Sequence, residues 1–247
     1  MNPIVLIPAR MASMRLPGKP LADIGGRPMI AHVIARAREA NLGPVVVAAA
    51  EEEIARAAEA AGARAVLTDA NHPSGSDRIF EALGKIDAAA RHDVVVNLQG
   101  DLPTADPAII RAAVAPLQSL SADIGTIATE ITEPSERANP NVTKAVVAWA
   151  KDGKLGRALY FTRSPAPHGD GPMFHHIGIY AYRRAALARF VQLPPSPLEL
   201  REKLEQLRAL EAGMTIGVAR VETAPLGVDT PSDLERARKI LNARPTL

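Results

Sequence analysis

Three cations and no acid lie between Arg10 and Lys19. The run Ala9-Arg10-Met11-Ala12-Ser13-Met14-Arg15-Leu16-Pro17-Gly18-Lys19 follows an apolar segment, residues 3–8. Arginine and lysine fixed on one loop neutralise and orient phosphate oxygens, so such a loop suits a triphosphate. A solvated basic loop is the alternative. The run lacks the GxxxxGK(S/T) spacing of a P-loop, and Gly25-Gly26 is no dinucleotide fingerprint.

Two acids complement the cations. Asp101 ends Gln99-Gly100-Asp101, directly after the apolar run DVVVNL, and Asp229 sits in Gly227-Val228-Asp229-Thr230-Pro231. Taken singly, Asp101 reads as a turn aspartate and Asp229 as a helix cap. Taken together they suit a magnesium clamp on a transferring phosphoryl group, because magnesium takes one or two carboxylates plus phosphate oxygens. The segment from Asn71 to Arg78 (NHPSGSDR) is small, polar and glycine-bearing, which allows close backbone contact with a base or ribose. Its alternative is a helix start capped by Ser76 or Asp77. Further on, His176 and Tyr180 share one face of a strand and His175 the other. Glu202, Glu205 and Gln206 share a helix face at i, i+3 and i+4, and a solvated face explains that spacing equally well.

The elements that must carry these residues follow from hydrophobic periodicity. Apolar runs at 3–8, 45–49, 65–67 and 93–99 read as strands covered on both faces. Between and after them, residues 27–40, 51–61, 77–90 and 107–120 read as helices. That alternation predicts a mostly parallel sheet with helices on both faces and ligands beyond the strands' carboxyl ends. From about residue 121 the pattern changes to longer strands, 124–131, 142–150 and 175–182, interrupted by proline-rich stretches. Residues 198–212 read as one amphipathic helix ended by Gly213. Residues 215–221 read as a strand, and Thr230-Pro231 opens a last helix. We expect one domain over 1–247. In it, 1–120 and 214–247 form the nucleotide and metal core, and 121–213 form a smaller mixed-sheet insertion for sugar binding and dimerisation.

Composition limits the alternatives. The absence of cysteine removes disulfides, thiolate metal sites and a cysteine nucleophile. A formal charge of +2 and 3% aromatic residues leave little for a nucleic-acid surface, so no nucleic-acid partner is expected. No stretch approaches the roughly 18–20 apolar residues that span a bilayer. The N-terminal run reads as a strand rather than a secretion signal. The expectation is therefore a cytoplasmic chain without membrane insertion.

The stretch IPARMASMRLPGKPLADIGGRPMI resembles the nucleotide-binding signature of the sugar-acid cytidylyltransferases. The ordered segments HPSGSDR, VVVNLQGD, NPNVTKAV, HHIGIYAYR, PSPLELREKLEQLRALEAG and GVDTPSDLERAR resemble those of the 3-deoxy-manno-octulosonate (Kdo) branch of that family. The resemblance runs from about Ile4 to about Arg238. It implies a Rossmann-like nucleotidyltransferase fold, the substrates CTP and Kdo, magnesium as cofactor, the products CMP-Kdo and diphosphate, a place in lipopolysaccharide biosynthesis and a homodimer. Carried over by matching motif, Arg10, Arg15, Lys19, Gln99, Asp101 and Asp229 are the catalytic set. Ala9, Arg10, Lys19, His72, Ser74, Gly75 and Gln99 bind the nucleotide. Arg163, His176, Tyr180, Glu205 and Gln206 bind the sugar acid, and Asp101 and Asp229 bind the metal. Three positions depart from the pattern: Leu102 where an acid is frequent, Asn71 for aspartate and His175 for arginine.

Overall fold

The run PIVLIPA forms β1 (Pro3–Ala9), with Val5, Leu6 and Ile7 fully buried. In the computed structural model, which describes residues 1–243, the chain forms two compact units. The first comprises residues 1–110 and the chain from Pro225 onward. The second comprises residues 111–224.

In the first unit a loop and one 3-10 turn (Lys19–Leu21) follow β1. A short hairpin comes next, β2 (Asp23–Ile24) and β3 (Arg27–Pro28). Then come α1 (Met29–Glu39), β4 (Val45–Ala49), α2 (Glu52–Ala60), β5 (Arg64–Leu67), α3 (Gly75–Ile86), β6 (Val94–Asn97) and α4 (Pro107–Ala112). β1 lies between β4 and β6, with Val5 opposite both Val45 and Val96, and β5 adds beyond β4. Every one of these pairings is parallel, which explains the near-continuous apolar runs: such strands are covered on both faces.

The second unit contains α5 (Ala115–Ser119), β7 (Ile124–Glu130), α6 (Pro134–Arg137), β8 (Lys144–Trp149), β9 (Leu155–Thr162) and β10 (Phe174–Arg183). It continues with α7 (Arg184–Gln192), α8 (Pro197–Glu202), α9 (Gln206–Glu211) and β11 (Ile216–Val221). β11 is parallel to β7, whereas β7–β10, β8–β10, β8–β9 and β9–β11 are antiparallel. The fold is α/β: β1, β4, β5 and β6 pair in parallel, and the second unit pairs in both senses, the mixed pairing expected after about residue 121. The reason is local. The link from Trp149 to Leu155 is a tight turn through Gly153 at φ 66°, and a connection that short joins only antiparallel neighbours. The last helix, α10 (Pro231–Asn242), returns to the first unit.

Two expected helices are each broken in two. Residues 107–120 divide into α4 and α5 because Pro116 lacks the N–H that a continuous helix needs. Residues 198–212 divide at Lys203, which adopts a left-handed φ of 57°. There Arg163 takes the carbonyls of Glu202 and Lys203, at 2.8 and 3.3 Å, away from any continuing helix. Strand β9 and helix α7 are additions to the elements expected from periodicity. Among the described residues no helix is long and apolar enough to cross a membrane.

Candidate functional site

In the first unit the carboxyl ends of β1 and β6 and the start of α3 open on a cleft of about 800 Å³. That size accommodates a nucleotide. Arg10, Arg15, Lys19, His72, Ser74, Gly75, Gln99, Asp101, Asp229 and Ala9 all line it, so the residues expected to serve nucleotide and metal converge in one place.

The cationic loop is tied down at several points. Met11 N–H donates to Glu51 Oε2 at 3.0 Å, and Gly18 N–H donates back to Met11 O at 3.2 Å. Gly18 sits at φ 69°, where a side chain would be strained, and from there the chain enters the turn that carries Lys19. Leu16 packs against the buried cluster of Ile24, Met29, Val228, Leu234 and Ala237. Thus one small core holds both the loop bearing Lys19 and the segment bearing Asp229.

The two acids are laced together by backbone. Val228 N–H donates to Asp101 O at 2.9 Å, and Leu226 N–H donates to Thr104 Oγ1 at 3.1 Å. Lys19 Nζ then donates to Asp101 Oδ2 at 2.7 Å and to Asp229 Oδ1 at 3.0 Å, while Arg15 Nη2 pairs with Asp229 Oδ2 at 3.0 Å. Burial opposes the charge on Lys19, but Asp101 and Asp229 outweigh it and hold its pKa above the ordinary lysine value. The cap reading of Asp229 fails. Thr230 caps α10, exchanging hydrogen bonds with Asp233, and the Asp229 carboxylate is left for the cations. Leu102, the departure beside Asp101, is buried, and its side chain packs beside Gly227. An acid there would be desolvated.

On the other side of the cleft Ser74 caps α3, accepting from Asp77 N–H at 3.2 Å. The cap is thus neither Ser76 nor Asp77. The positive end of α3 is presented at the cleft with Gly75, whose added Cβ would lie 3.2 Å from Pro8 Cγ. His72 Nε2 is 2.5 Å from Glu81 Oε2. Glu81 also accepts from Asp69 N–H and Lys85 Nζ. Burial disfavours its charge, yet the bonds from Lys85, Asp69 and His72 prevail and bring its pKa down to about 2. Gln99 Nε2 donates to the buried Asn97 at 3.0 Å. Arg78, which also lines the cleft, is buried and donates to Thr68 Oγ1, Asp69 O and Ala70 O. Sequence reasoning did not single out Arg78, Glu51 or Glu81. Arg78 lies inside the HPSGSDR motif, whereas nothing local marks the two glutamates.

In the second unit His176, Tyr180 and Gln206 come together. The rings of His176 and Tyr180 are 5.5 Å apart, and Gln206 Nε2 is 3.5 Å from His176 Nδ1. Burial drives the His176 pKa down to about 3 and pushes that of Tyr180 well up, with Tyr182 and Glu205 adding to the latter. The expected helix face of Glu202, Glu205 and Gln206 does not exist, since the break at Lys203 separates them. Glu202 instead turns to β9, accepting from Thr162 Oγ1 at 2.8 Å and Arg163 N–H at 3.0 Å. The Arg163 guanidinium is spent on the carbonyls of Pro140, Glu202 and Lys203. Two of these bonds fix the break between α8 and α9.

Comparison with known proteins gives the family. Residues 4–216 match the cytidylyltransferase family. A 3-deoxy-manno-octulosonate cytidylyltransferase of Rhodospirillum centenum is 66% identical over 243 residues, covering 98% of this chain and 95% of the relative. That of Parvibaculum lavamentivorans is 64% identical, covering 98% and 94%. A CMP:2-keto-3-deoxy-manno-octonic acid synthetase solved in complex with CTP superposes with a TM-score of 0.90 at 38% identity, covering 98% of this chain and 99% of that one. A cytidylyltransferase from Leptospira borgpetersenii, 18% identical with a TM-score of 0.63 over 100% of this chain and 89% of that one, shares the fold. The chain belongs to the cytidylyltransferase family, among the 3-deoxy-manno-octulosonate cytidylyltransferases.

Proposed function

We propose that the chain transfers CMP from CTP to the anomeric hydroxyl of 3-deoxy-D-manno-octulosonate, giving CMP-Kdo and diphosphate. The observation that carries this reading is the convergence of Lys19, Asp101, Asp229 and Arg15 at the carboxyl ends of parallel strands. An oxygen–phosphorus bond forms at the α-phosphorus, the bridging bond to the β-phosphate breaks, diphosphate leaves with the electron pair, and the hydroxyl proton is released. In-line transfer of this kind needs positioning and charge neutralisation rather than a covalent intermediate.

Arg10, Arg15 and Lys19 take the triphosphate oxygens in this reading. Ala9, His72, Ser74 and Gly75 surround the nucleoside, and Gln99 and Asp101 stand at the reacting centre. His176, Tyr180, Glu205 and Gln206 hold the sugar acid, with Arg163 acting through α9. The oxygens of Asp101 and Asp229 already converge on one cationic point, the Lys19 ammonium, so the pair fits a hard divalent cation. Asp101 and Asp229 would hold magnesium, which when bound supplies positive charge to the triphosphate and leaving diphosphate. The cytoplasmic setting, the supply of CMP-Kdo to lipopolysaccharide biosynthesis and a homodimer belong to the same proposal and rest on the family.

A panel of acidic sugars crossed with the four nucleoside triphosphates tests the reading. Diphosphate release is expected with CTP only when both Kdo and magnesium are present. Brisk release with sialic acid and none with Kdo would overturn the sugar assignment.

A further inference from the structure

A buried polar chain in the second unit has a direction, and Thr126 sets it. Thr126 lies on β7 with no exposed surface. Its hydroxyl oxygen is 2.9 Å from Ile179 O, 3.3 Å from Ile177 O and 3.0 Å from His176 Nε2. Both carbonyls reach it where β10 departs from the ladder, since the register against β7 slips between Ile177 and Tyr180. A hydroxyl has one proton, and a carbonyl only accepts. The proton therefore goes to a carbonyl, and the shorter contact is Ile179. The hydroxyl is left with lone pairs for His176, so the proton between those two groups belongs to Nε2. Burial keeps the imidazole neutral at ordinary pH, so Nδ1 is a bare acceptor. Of the two ends of the Gln206 amide, only the NH2 can face a bare acceptor. The same orientation follows from Gln206 Nε2 lying on the Nδ1 side at 3.5 Å.

We propose that Thr126 is a positioning residue of the sugar-acid site: with the Ile179 carbonyl it fixes His176 as the Nε2–H tautomer and turns the Gln206 amide so that its oxygen accepts from a ligand hydroxyl. The presence of a ligand at Gln206 and its identity rest on the cytidylyltransferase reading; the proton order does not. Thr126→Val keeps the shape of the side chain and removes both the donor and the acceptor. Thr126→Ser keeps them.

Nitrogen-15 NMR of the imidazoles in the full chain, without substrate, should show His176 as the Nε2–H tautomer in the parent and in T126S. In T126V the Nδ1–H form should be populated. Steady-state kinetics should show the KM for Kdo rising about tenfold in T126V, the loss of roughly one well-made buried hydrogen bond, with the KM for CTP within about twofold and T126S restoring the parent value. A parent His176 in the Nδ1–H form, or a folded T126V with an unchanged KM for Kdo, overturns the proposal. If T126V does not fold, the parent tautomer still decides it. A parent chain that turns over no Kdo but shows the Nε2–H tautomer overturns the functional reading, and with it the sugar-site role, while the proton order set by Thr126 stands.

Discussion

Lys19 Nζ lies 2.7 Å from Asp101 Oδ2, and the same ammonium is 3.0 Å from Asp229. The lysine side chain is 15% exposed. It is the counter-cation of the two carboxylates. If magnesium binds that pair as proposed, it would displace the ammonium, and a triphosphate would give the ammonium a new partner, so the two ligands should bind cooperatively. Lys19→Met should therefore bind manganese more tightly than the parent without nucleotide, by about tenfold or more, because no lysine competes. The same variant should lose turnover by at least about a hundredfold, since a preorganised charge is gone. Titration followed by manganese EPR checks the first statement. Equal affinity in parent and variant would show that Lys19 does not guard the carboxylates.

The neighbouring residues Asp229 and Thr230 separate chemistry from stability. Asp229→Asn keeps the Thr230–Asp233 cap of α10, so the chain should melt within about 2 °C of the parent while turnover falls about a hundredfold or more. Thr230→Ala removes the cap and should cost about 1 kcal/mol of stability, with turnover within a fewfold. Asp101→Asn should behave like Asp229→Asn. Thermal melts beside rate measurements check all three variants. An active Asp229→Asn would remove that carboxylate from the site.

Much of the first unit is written locally in its sequence. The runs at β1, β4 and β6 are legible because strands covered on both faces must be apolar throughout. The cations and Asp101 stand out because they follow such a run. Their mutual pairing has no local signature. Lys19 meets partners 82 and 210 residues away, and the lacing of Val228 to Asp101 that brings them together leaves no pattern along the chain. The break at Lys203 is equally hidden. No proline or glycine marks it, and its cause, Arg163, is 40 residues distant. Strand direction in the second unit depends on the turn at Gly153. Its residues are visible in the sequence, but apolar periodicity carries no information about which neighbour a strand meets or in which direction.

Glu81 gives the first unit an acid-sensitive joint. Its pKa of about 2 lies below the 4.5 of an ordinary glutamate, so the unfolded chain takes up its proton first as pH falls. The stability it contributes is complete above about pH 4.5 and is lost as pH drops toward 2. Glu81→Gln should flatten that part of the stability curve relative to the parent while changing the slope above pH 5 little. Urea midpoints measured at half-unit steps from pH 2.5 to 6 (values chosen to bracket the ordinary carboxylate range) check this. Parallel curves for parent and variant would show that the Lys85, Asp69 and His72 contacts do not hold the carboxylate charged.

Arg163 separates positioning from direct binding. Its three guanidinium bonds go to Pro140, Glu202 and Lys203 carbonyls, two of them at the break between α8 and α9. Lysine carries the charge without the planar fork that reaches three acceptors at once. Arg163→Lys should therefore release the break, lower stability by about 1–3 kcal/mol through the unpaired carbonyls, and loosen Glu205 and Gln206, which lie directly beyond it. The KM for Kdo should rise about tenfold or more while the KM for CTP stays within about twofold, because the first unit's cleft contains no part of this network. Were Arg163 a direct ligand of the sugar carboxylate, the retained charge of lysine would preserve much of the affinity and stability would be unchanged. Steady-state kinetics and denaturant melts on the same preparation distinguish the two.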